Sequence, residues 1–509
     1  MSGSGATTST SVLHRIIDRA RRDPDHLAAS DLERRLSYAE LIDEVSRLGA
    51  RLRDRGVVEG DRVALLIPNS VDFVVAALAT LWASAIFVPL AVTDPPSRLA
   101  TVVADSAPAL IIRSTSIDAE FPSLGDTPMV SIADLPRGID ATPPADAPRG
   151  AYIIYTSGTT GTPKGVLIGS AAFAAAVEST ATTLGISATT KTLCVSPFHF
   201  DGSYANLFPT LVSGGTVVIR PREALLFPRT FFKAVAEEKI TYSGFTPSYL
   251  RLLLASRQMA DLHGSTLQVI ALGGEALAAG DLRTLWSHAP SLRVFNRYGP
   301  TEATIAVTNT ELTPDMIEDG VVTIGRPHHG VTFALVGNDG HVIVTANRTG
   351  ELFIGGNQLM DGYWEDPALT NSVMHELGQG VVMYRTGDLV YRDERDNYVY
   401  VDRADRVVKR NGVRISLIEL SDQMNNVDGI ASAVCVAYDH DGELGIVAFV
   451  ATNRELSDVD IRHAARNFIP DTMLPDRIER IETLPLNRSN QLDETQLLLT
   501  ANLRPYRPV

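Results

Sequence analysis

The stretch Tyr155-Thr156-Ser157-Gly158-Thr159-Thr160-Gly161-Thr162-Pro163-Lys164-Gly165-Val166 sets the terms for the whole chain. It follows a strand-like run, Ala151-Tyr152-Ile153-Ile154. Gly158, Gly161 and Gly165 let the backbone come close to a ligand. Hydroxyls from Thr156, Ser157, Thr159, Thr160 and Thr162, with the ammonium of Lys164, surround that backbone. Backbone N–H groups, hydroxyls and a cation are what a polyphosphate needs around its spread negative charge. The loop is not a Walker A motif: Pro163 stands where glycine is required, and Gly165 where serine or threonine is.

Outward from this loop, short β-branched runs alternate with helical patterns. Arg62–Ile67 reads as a strand and Ser70–Leu81 as a helix. Ala151–Tyr155, Thr192–Val195, Gly215–Ile219 and Val269–Leu272 repeat the strand theme. Such alternation predicts parallel sheets covered by helices. From Gly350 to Val401 the runs shorten and glycines crowd in, which predicts a more antiparallel β region. After about residue 405 a new unit begins, with strands Ser432–Tyr438 and Gly445–Ala451 and a helix near Val459–Phe468. The expected architecture is α/β: a disordered tail over 1–12, a large domain over 13–404 with parallel helix-covered sheets and a β-rich subdomain, and a small mobile α+β domain over 405–509.

Composition narrows the function. Of 509 residues, 45% are apolar and 21% charged, an ordinary globular balance. Lys plus Arg is 45 against 60 for Asp plus Glu, a formal charge of −15 that argues against non-specific nucleic-acid binding. Cys194 and Cys435 are too few for a disulfide framework or a four-cysteine zinc site, and both sit in apolar surroundings. Phe73 to Val92 carries no charge, yet Pro89 and the polar Thr80, Trp82 and Ser84 interrupt it. It reads as a buried helix followed by a buried strand, Ala85–Leu90, not a membrane span. The N-terminus, MSGSGATTST, lacks the basic and apolar regions of a secretory signal. A cytoplasmic protein without nucleic-acid or membrane partners is expected.

The glycine-rich loop resembles the phosphate-binding loop of the adenylate-forming superfamily: acyl-CoA ligases, luciferases and the adenylation domains of nonribosomal peptide synthetases. Leu36–Leu41 and Gly60–Val63 are similar to its early motifs. Asn296-Arg297-Tyr298-Gly299-Pro300-Thr301-Glu302 resembles its YGPTE signature, and Tyr384-Arg385-Thr386-Gly387-Asp388-Leu389 its YRTGDL signature. The resemblance implies ATP and Mg²⁺ as cofactors and two half-reactions. A carboxylate attacks the α-phosphate, releasing pyrophosphate, and a thiol or other nucleophile then displaces AMP. It assigns Tyr298 to stack on adenine, Thr301 to donate to phosphate, Glu302 to hold the metal, and Asp388 with Arg403 to hold the ribose. Thr156, Lys164 and the loop residues Ser157, Gly158, Thr159, Thr160 and Gly161 fall to the phosphates, while Gly274, Asn296 and Gly299 complete the nucleotide site. Asp402–Gly412 resembles the inter-domain hinge, with Asp405 as its pivot and Gly412 facing a thiol tunnel.

The acyl pocket of the family begins at the segment like Phe198–Ser203, where an aspartate in the place of Asp201 pairs with a substrate ammonium. A carboxylate capping the next helix is the competing reading of Asp201. His199 either gates the pocket or packs as an aromatic ring. Gly202, Ala205, Gly244, Ala271, Gly273, Arg297, Ile305 and Ala306 fall at the other pocket positions, and most are small, which is expected to leave space. Arg297 reads a second carboxylate on the substrate, fills the space itself, or pairs with Asp201. The family's last loop normally carries a lysine that acts in the first half-reaction, and here Gln491 stands there, with Arg488 three residues upstream. Glutamine can donate hydrogen bonds without charge, so weaker transition-state stabilisation is expected. No carrier-protein unit is seen before Val509, so the expected acceptor is a separate carrier protein, CoA or a small nucleophile. The expectation is an amino-acid adenylation enzyme; an acyl- or aryl-CoA ligase, a ligase using an amine or inorganic nucleophile, and a silent nucleotide-binding protein are the rivals.

Overall fold

The computed structural model describes residues 11–94, 96–117, 124–134, 142–157, 163–337, 339–378, 380–404, 407–410, 413–440, 443–467, 469, 473–486 and 492–506. Gly158, Thr159, Thr160, Gly161, Asp405, Gly412, Arg488 and Gln491 lie outside the described residues, as does the side chain of Ser157. Ser11 and Val12, expected in the tail, belong to the fold. Val12 opens a helix, Val12–Arg22, and the Ser11 side chain caps it by accepting from the His14 N–H.

Two large sheets carry the chain. One runs in space as Gly362–Tyr363, Pro163–Gly169, Gly150–Ser157, Ile86–Pro89, Arg62–Leu66, Leu110–Arg113 and Met129–Ser131. The other runs as Thr308–Leu312, Arg293–Tyr298, Val269–Gly273, Tyr242–Phe245, Lys191–Cys194, Thr216–Ile219, Leu27–Ser30 and Arg35–Ser37. The inner strands of the second sheet are all parallel, and its two edge strands are antiparallel. The described strands flanking the glycine-rich loop, Gly150–Ser157 and Pro163–Gly169, pair antiparallel, in a register that sets Thr156 opposite Lys164.

The uncharged run becomes the helix Val71–Trp82 and the strand Ile86–Pro89, both in the core. In the helix only Asp72 escapes burial, because the sheets and helices enclose it on every side. Among the described residues no helix is long and apolar enough to cross a membrane. An aromatic cluster of Phe87, Tyr152, Phe173, Tyr204 and Phe208 packs mostly edge-to-face, with centroids 4.8–6.4 Å apart, between the first sheet and the helices Ser170–Leu184 and Tyr204–Val212.

The expected antiparallel region is a five-stranded sheet: Val331–Val336, Gly350–Gly356, Val382–Arg392 and Met374–Glu376, with Tyr398–Arg403 also on Val382–Arg392. The last hundred residues form their own four-stranded sheet around the hairpin Ile430–His440 and Glu443–Thr452, with the helices Leu417–Asn425, Asp458–Ala465 and Glu494–Thr500. Their apolar clusters are separate from those of the large unit. Both cysteines are buried and unbridged, and burial pushes each thiol up to about 12.

Candidate active site

Four of the parallel strands of the eight-stranded sheet end at Cys194, Phe245, Gly273 and Tyr298. Ligands of such sheets bind outside the carboxyl ends of the strands, and the residues singled out by sequence gather there. The Tyr298 hydroxyl donates to Asp388 Oδ2 at 2.5 Å. Burial first, and then the Asp388 charge, push this phenol well above its usual range. Arg403 lies opposite Asp388 in register and donates through Nη1 to Asp388 Oδ1 at 3.3 Å and to the Thr386 carbonyl at 3.4 Å. Gly387 makes this approach possible: its φ is +76°, and a Cβ there would sit 3.0 Å from an Arg403 nitrogen. Asn296 spends its side-chain amide on the Thr323 carbonyl at 2.8 Å.

At the phosphate end the charges answer one another. Lys164 Nζ lies 3.5 Å from Glu302 Oε1, and the two share the hydroxyl of Tyr363. Lys164 donates to that hydroxyl at 2.9 Å, and the hydroxyl donates to Glu302 Oε1 at 2.6 Å. The ammonium also sits 4.5 Å from the Tyr363 ring centroid. Burial, then Glu302, raise the phenol of Tyr363, while Tyr384 from the YRTGDL strand acts to lower it. Tyr363 reaches this position because Gly362–Tyr363 pairs with Pro163–Gly169, setting Tyr363 opposite Val166. Thr156 Oγ1, across the hairpin from Lys164, is buried with no hydrogen-bond partner. Such an orphan is expected only where a ligand or ordered water completes it.

The turn Thr301–Ala306 joins the two ends of the site. Thr304 and Ile305 both adopt the left-handed region, with φ of +56° and +70°. This is rare for a residue with a Cβ and rarer for a β-branched one. Gln358 holds the turn: its carbonyl accepts from Thr304 Oγ1 at 2.6 Å, and its Nε2 donates to the Ala306 carbonyl at 2.7 Å. Gly299 is needed beneath it, since a Cβ there would meet Ala306 Cα at 2.6 Å. The turn brings the Ile305 backbone into the surroundings of Asp201.

The Thr301 side chain and the backbone of Gly202 and Ile305 act to lower the Asp201 carboxyl. Burial pushes its carboxyl up to about 6, with the Glu302 charge adding to the shift. Its Oδ2 is buried and has no hydrogen-bond partner. The helix that follows has Ser203 at its N-cap and no side-chain cap, so the capping reading of Asp201 has no contact behind it. The hydroxyls of Tyr152 and Tyr204 are likewise buried without partners, and the Asp201 charge acts on both. His199 packs its ring against Phe200 at 4.3 Å.

Arg297 makes no ion pair with Asp201 or with any other described carboxylate. It is 8% exposed, donates from Nε to Asn309 at 3.1 Å, and reaches across the sheet to the Tyr242 hydroxyl at 2.7 Å. Tyr242 in turn donates to Asn206 Oδ1 at 2.7 Å. The small residues leave less room than their size implies. A Cβ at Gly244 would meet Asn206 Oδ1 at 2.2 Å, and one at Gly273 would meet the Arg297 carbonyl at 2.7 Å. Those two positions are filled by neighbours, Ala271 and Ala205 are buried, and Gly202 faces open space. Tyr363, Tyr242, Asn206 and Asn309 carried no sequence signal of their own, because each reaches the site from a different element.

The comparisons with known proteins agree with this geometry. Residues 16–364 match the model of the AMP-binding enzyme family. Syringomycin synthase SyrB1 of Pseudomonas syringae pv. syringae is 33% identical over 95% of this chain and 81% of its own length. A dimodular nonribosomal peptide synthase of Bacillus subtilis is 31% identical over 93% of this chain but only 21% of its own length. A four-domain nonribosomal peptide synthetase solved with AMP and glycine superposes with a TM-score of 0.86 at 25% identity, over 99% of this chain and 37% of that one. The chain thus belongs to the AMP-binding enzyme family, in its adenylate-forming superfamily, and is an ATP-dependent, AMP-forming ligase.

Proposed function

We propose that the protein activates an amino acid as its aminoacyl-adenylate and passes it to the phosphopantetheine thiol of a carrier protein in natural-product biosynthesis. The observation that carries the amino-acid reading is Asp201 Oδ2, a buried carboxylate oxygen without a partner. A buried carboxylate is stabilised by a cation, and an acid without an amine would leave it unpaired. A substrate ammonium supplies both charge and donors. The synthase relatives and the neighbour solved with AMP and glycine support the same reading.

In the first half-reaction the substrate carboxylate attacks the α-phosphate and pyrophosphate leaves. Asp388 and Arg403 would orient the ribose, and Tyr298 would lie against the base. Thr156, with its orphan hydroxyl, and Lys164 would hold the phosphates. Among the described residues no group of three or more His, Cys, Asp or Glu could cage a metal. Glu302 alone fits Mg²⁺ nonetheless, since that ion is commonly held by one or two carboxylates together with substrate phosphates. When bound, it would neutralise charge on the leaving pyrophosphate. In the second half-reaction the thiol attacks the acyl carbon, AMP departs, and the thiol proton is released. Asp405 would be the pivot between the two states and Gly412 the approach for the thiol.

The test is amino-acid-dependent ATP–pyrophosphate exchange across acidic, small and β-amino acids, with Gln491→Lys alongside, followed by loading of carrier protein supplied in trans. Exchange with one or a few amino acids is expected, and faster exchange in Gln491→Lys, by up to about 100-fold. Exchange driven only by amine-free acids would overturn the amino-acid reading in favour of an acyl- or aryl-CoA ligase. A product formed with every thiol left out would point to an amine or inorganic acceptor.

A further inference from the structure

Arg297 is a buried cation whose surroundings are neutral. Its Nε and Nη2 are taken by Asn309 and Tyr242, and Nη1 donates to no described residue. Asn309 continues to Thr180 at 3.4 Å and to His328 Nε2 at 3.0 Å, and His328 Nδ1 lies 3.1 Å from Gln358 Oε1. Burial lowers His328 to about 4, and the Arg297 charge pushes the same way, so this imidazole is neutral near pH 7. Burial likewise keeps the Tyr242 phenol protonated. No anion therefore answers the guanidinium among the described residues. An uncompensated buried charge is costly, and the usual resolution is a partner of opposite sign.

Position says where the partner comes from. Arg297 is the penultimate residue of Arg293–Tyr298, at the carboxyl ends of the parallel strands, one residue before the tyrosine of the nucleotide site. Through Tyr242, which also approaches the Ala205 carbonyl at 3.4 Å, it is tied to the helix that begins just after Asp201. Gly273 allows Arg297 to lie close across the strand, and Gly244 allows Asn206 to brace Tyr242. The guanidinium is thus braced by neutral hydrogen bonds and left with an open donor edge. Guanidinium donors match a carboxylate in geometry as well as charge.

We propose that Arg297 receives a second carboxylate on the substrate, so that the activated acid is an amino acid with an acidic side chain. The proposal rests on the amino-acid reading above: Asp201 takes the ammonium, Arg297 takes the side-chain carboxylate, and the α-carboxylate faces the phosphates between them.

Non-hydrolysable aminoacyl-sulfamoyl adenosines test it without requiring turnover. Calorimetry would compare the aspartyl, glutamyl, asparaginyl, glutaminyl and alanyl compounds with the amine-free succinyl, glutaryl, succinamyl and glutaramyl ones. Wild type, Arg297→Gln and Arg297→Lys would be measured, with AMP affinity as the control for an intact fold. An acidic compound is expected to bind about 100-fold tighter than its amide. That preference should fall below about fivefold in Arg297→Gln and be partly kept in Arg297→Lys. Equal binding of acid and amide by wild type would overturn the proposal, and the amino-acid reading would stand if both still outbind the amine-free compounds. An acid-over-amide preference shared by the amine-free compounds at full affinity would uphold Arg297 and overturn the amino-acid reading. Silence from every compound, with AMP still bound, would overturn both. The acid-to-amide ratio in wild type decides the matter even if both Arg297 variants fail to fold.

Discussion

The phosphate end and the acyl end of the site handle charge in opposite ways. At the phosphate end Lys164 and Glu302 neutralise each other through Tyr363, and Asp388 is answered by Arg403 and the Tyr298 hydroxyl. At the acyl end the buried Oδ2 of Asp201 and the buried Arg297 each lack a counter-ion among the described residues. On the proposed assignment the nucleotide end would accept every turnover's ATP alike, and a self-neutral cluster tolerates solvent when empty. The acyl end must choose, and a group left unpaired by the wrong acid is how a pocket rejects it.

The harshest way to break this contrast is Asp201→Asn. Removing one partner of a buried charge pair costs about 3–5 kcal/mol, so kcat/KM for the amino acid should fall about 1000-fold. ATP binding, measured by calorimetry, should be unchanged.

The neutral cradle of Arg297 is tested through His328, whose ring is held neutral. The sign follows from its lowered value of about 4 against 6.5 unfolded. Stability is complete above about pH 6.5 and is lost as pH falls toward 4, because the unfolded chain takes up the proton first. The loss should approach about 3 kcal/mol, and His328→Gln should flatten that part of the denaturation profile.

Asp201 should appear in kinetics on its own. Burial pushes its carboxyl up to about 6, and only the ionised form can hold an ammonium. The value of kcat/KM for the amino acid should therefore fall about tenfold per unit below pH 6. A profile flat down to pH 5 would remove Asp201 from amine recognition.

The mildest test concerns Tyr363. Tyr363→Phe keeps the ring under Lys164 and deletes the bridge to Glu302, a hydrogen bond to charged groups worth about 1.5–3 kcal/mol. KM for Mg-ATP should rise about tenfold while acid-to-amide selectivity stays put. A change in selectivity would show that the two ends are not independent.

Much of this was legible in the sequence, for a physical reason. The motifs around Lys164, Glu302 and Asp388 are contiguous runs, because strand ends and tight turns carry several ligand-facing groups in a few residues. The alternation of strands and helices was equally local. Tyr363, Tyr242 and Asn309 were not legible, since each meets the site from a distant element. The glycines misled in a specific way. Gly244 and Gly273 read as empty volume, whereas Asn206 and the Arg297 backbone occupy it. A missing side chain creates room without saying who takes it. Sequence also left Arg297 open among three roles, and the contacts with Tyr242 and Asn309, with no ion pair to Asp201, remove one of them.

The left-handed pair Thr304 and Ile305 bears on any attempt to redesign this enzyme. Two positions that the resemblance places in the acyl pocket, 305 and 306, sit on a turn with a left-handed backbone that also acts on Asp201. Changes there are transmitted through main-chain shape as well as side-chain size. A library at these sites should therefore show strong epistasis with Gln358, which clamps the turn. Glycine at 305 should behave as a general suppressor, relaxing the backbone and widening the set of neighbours that still fold.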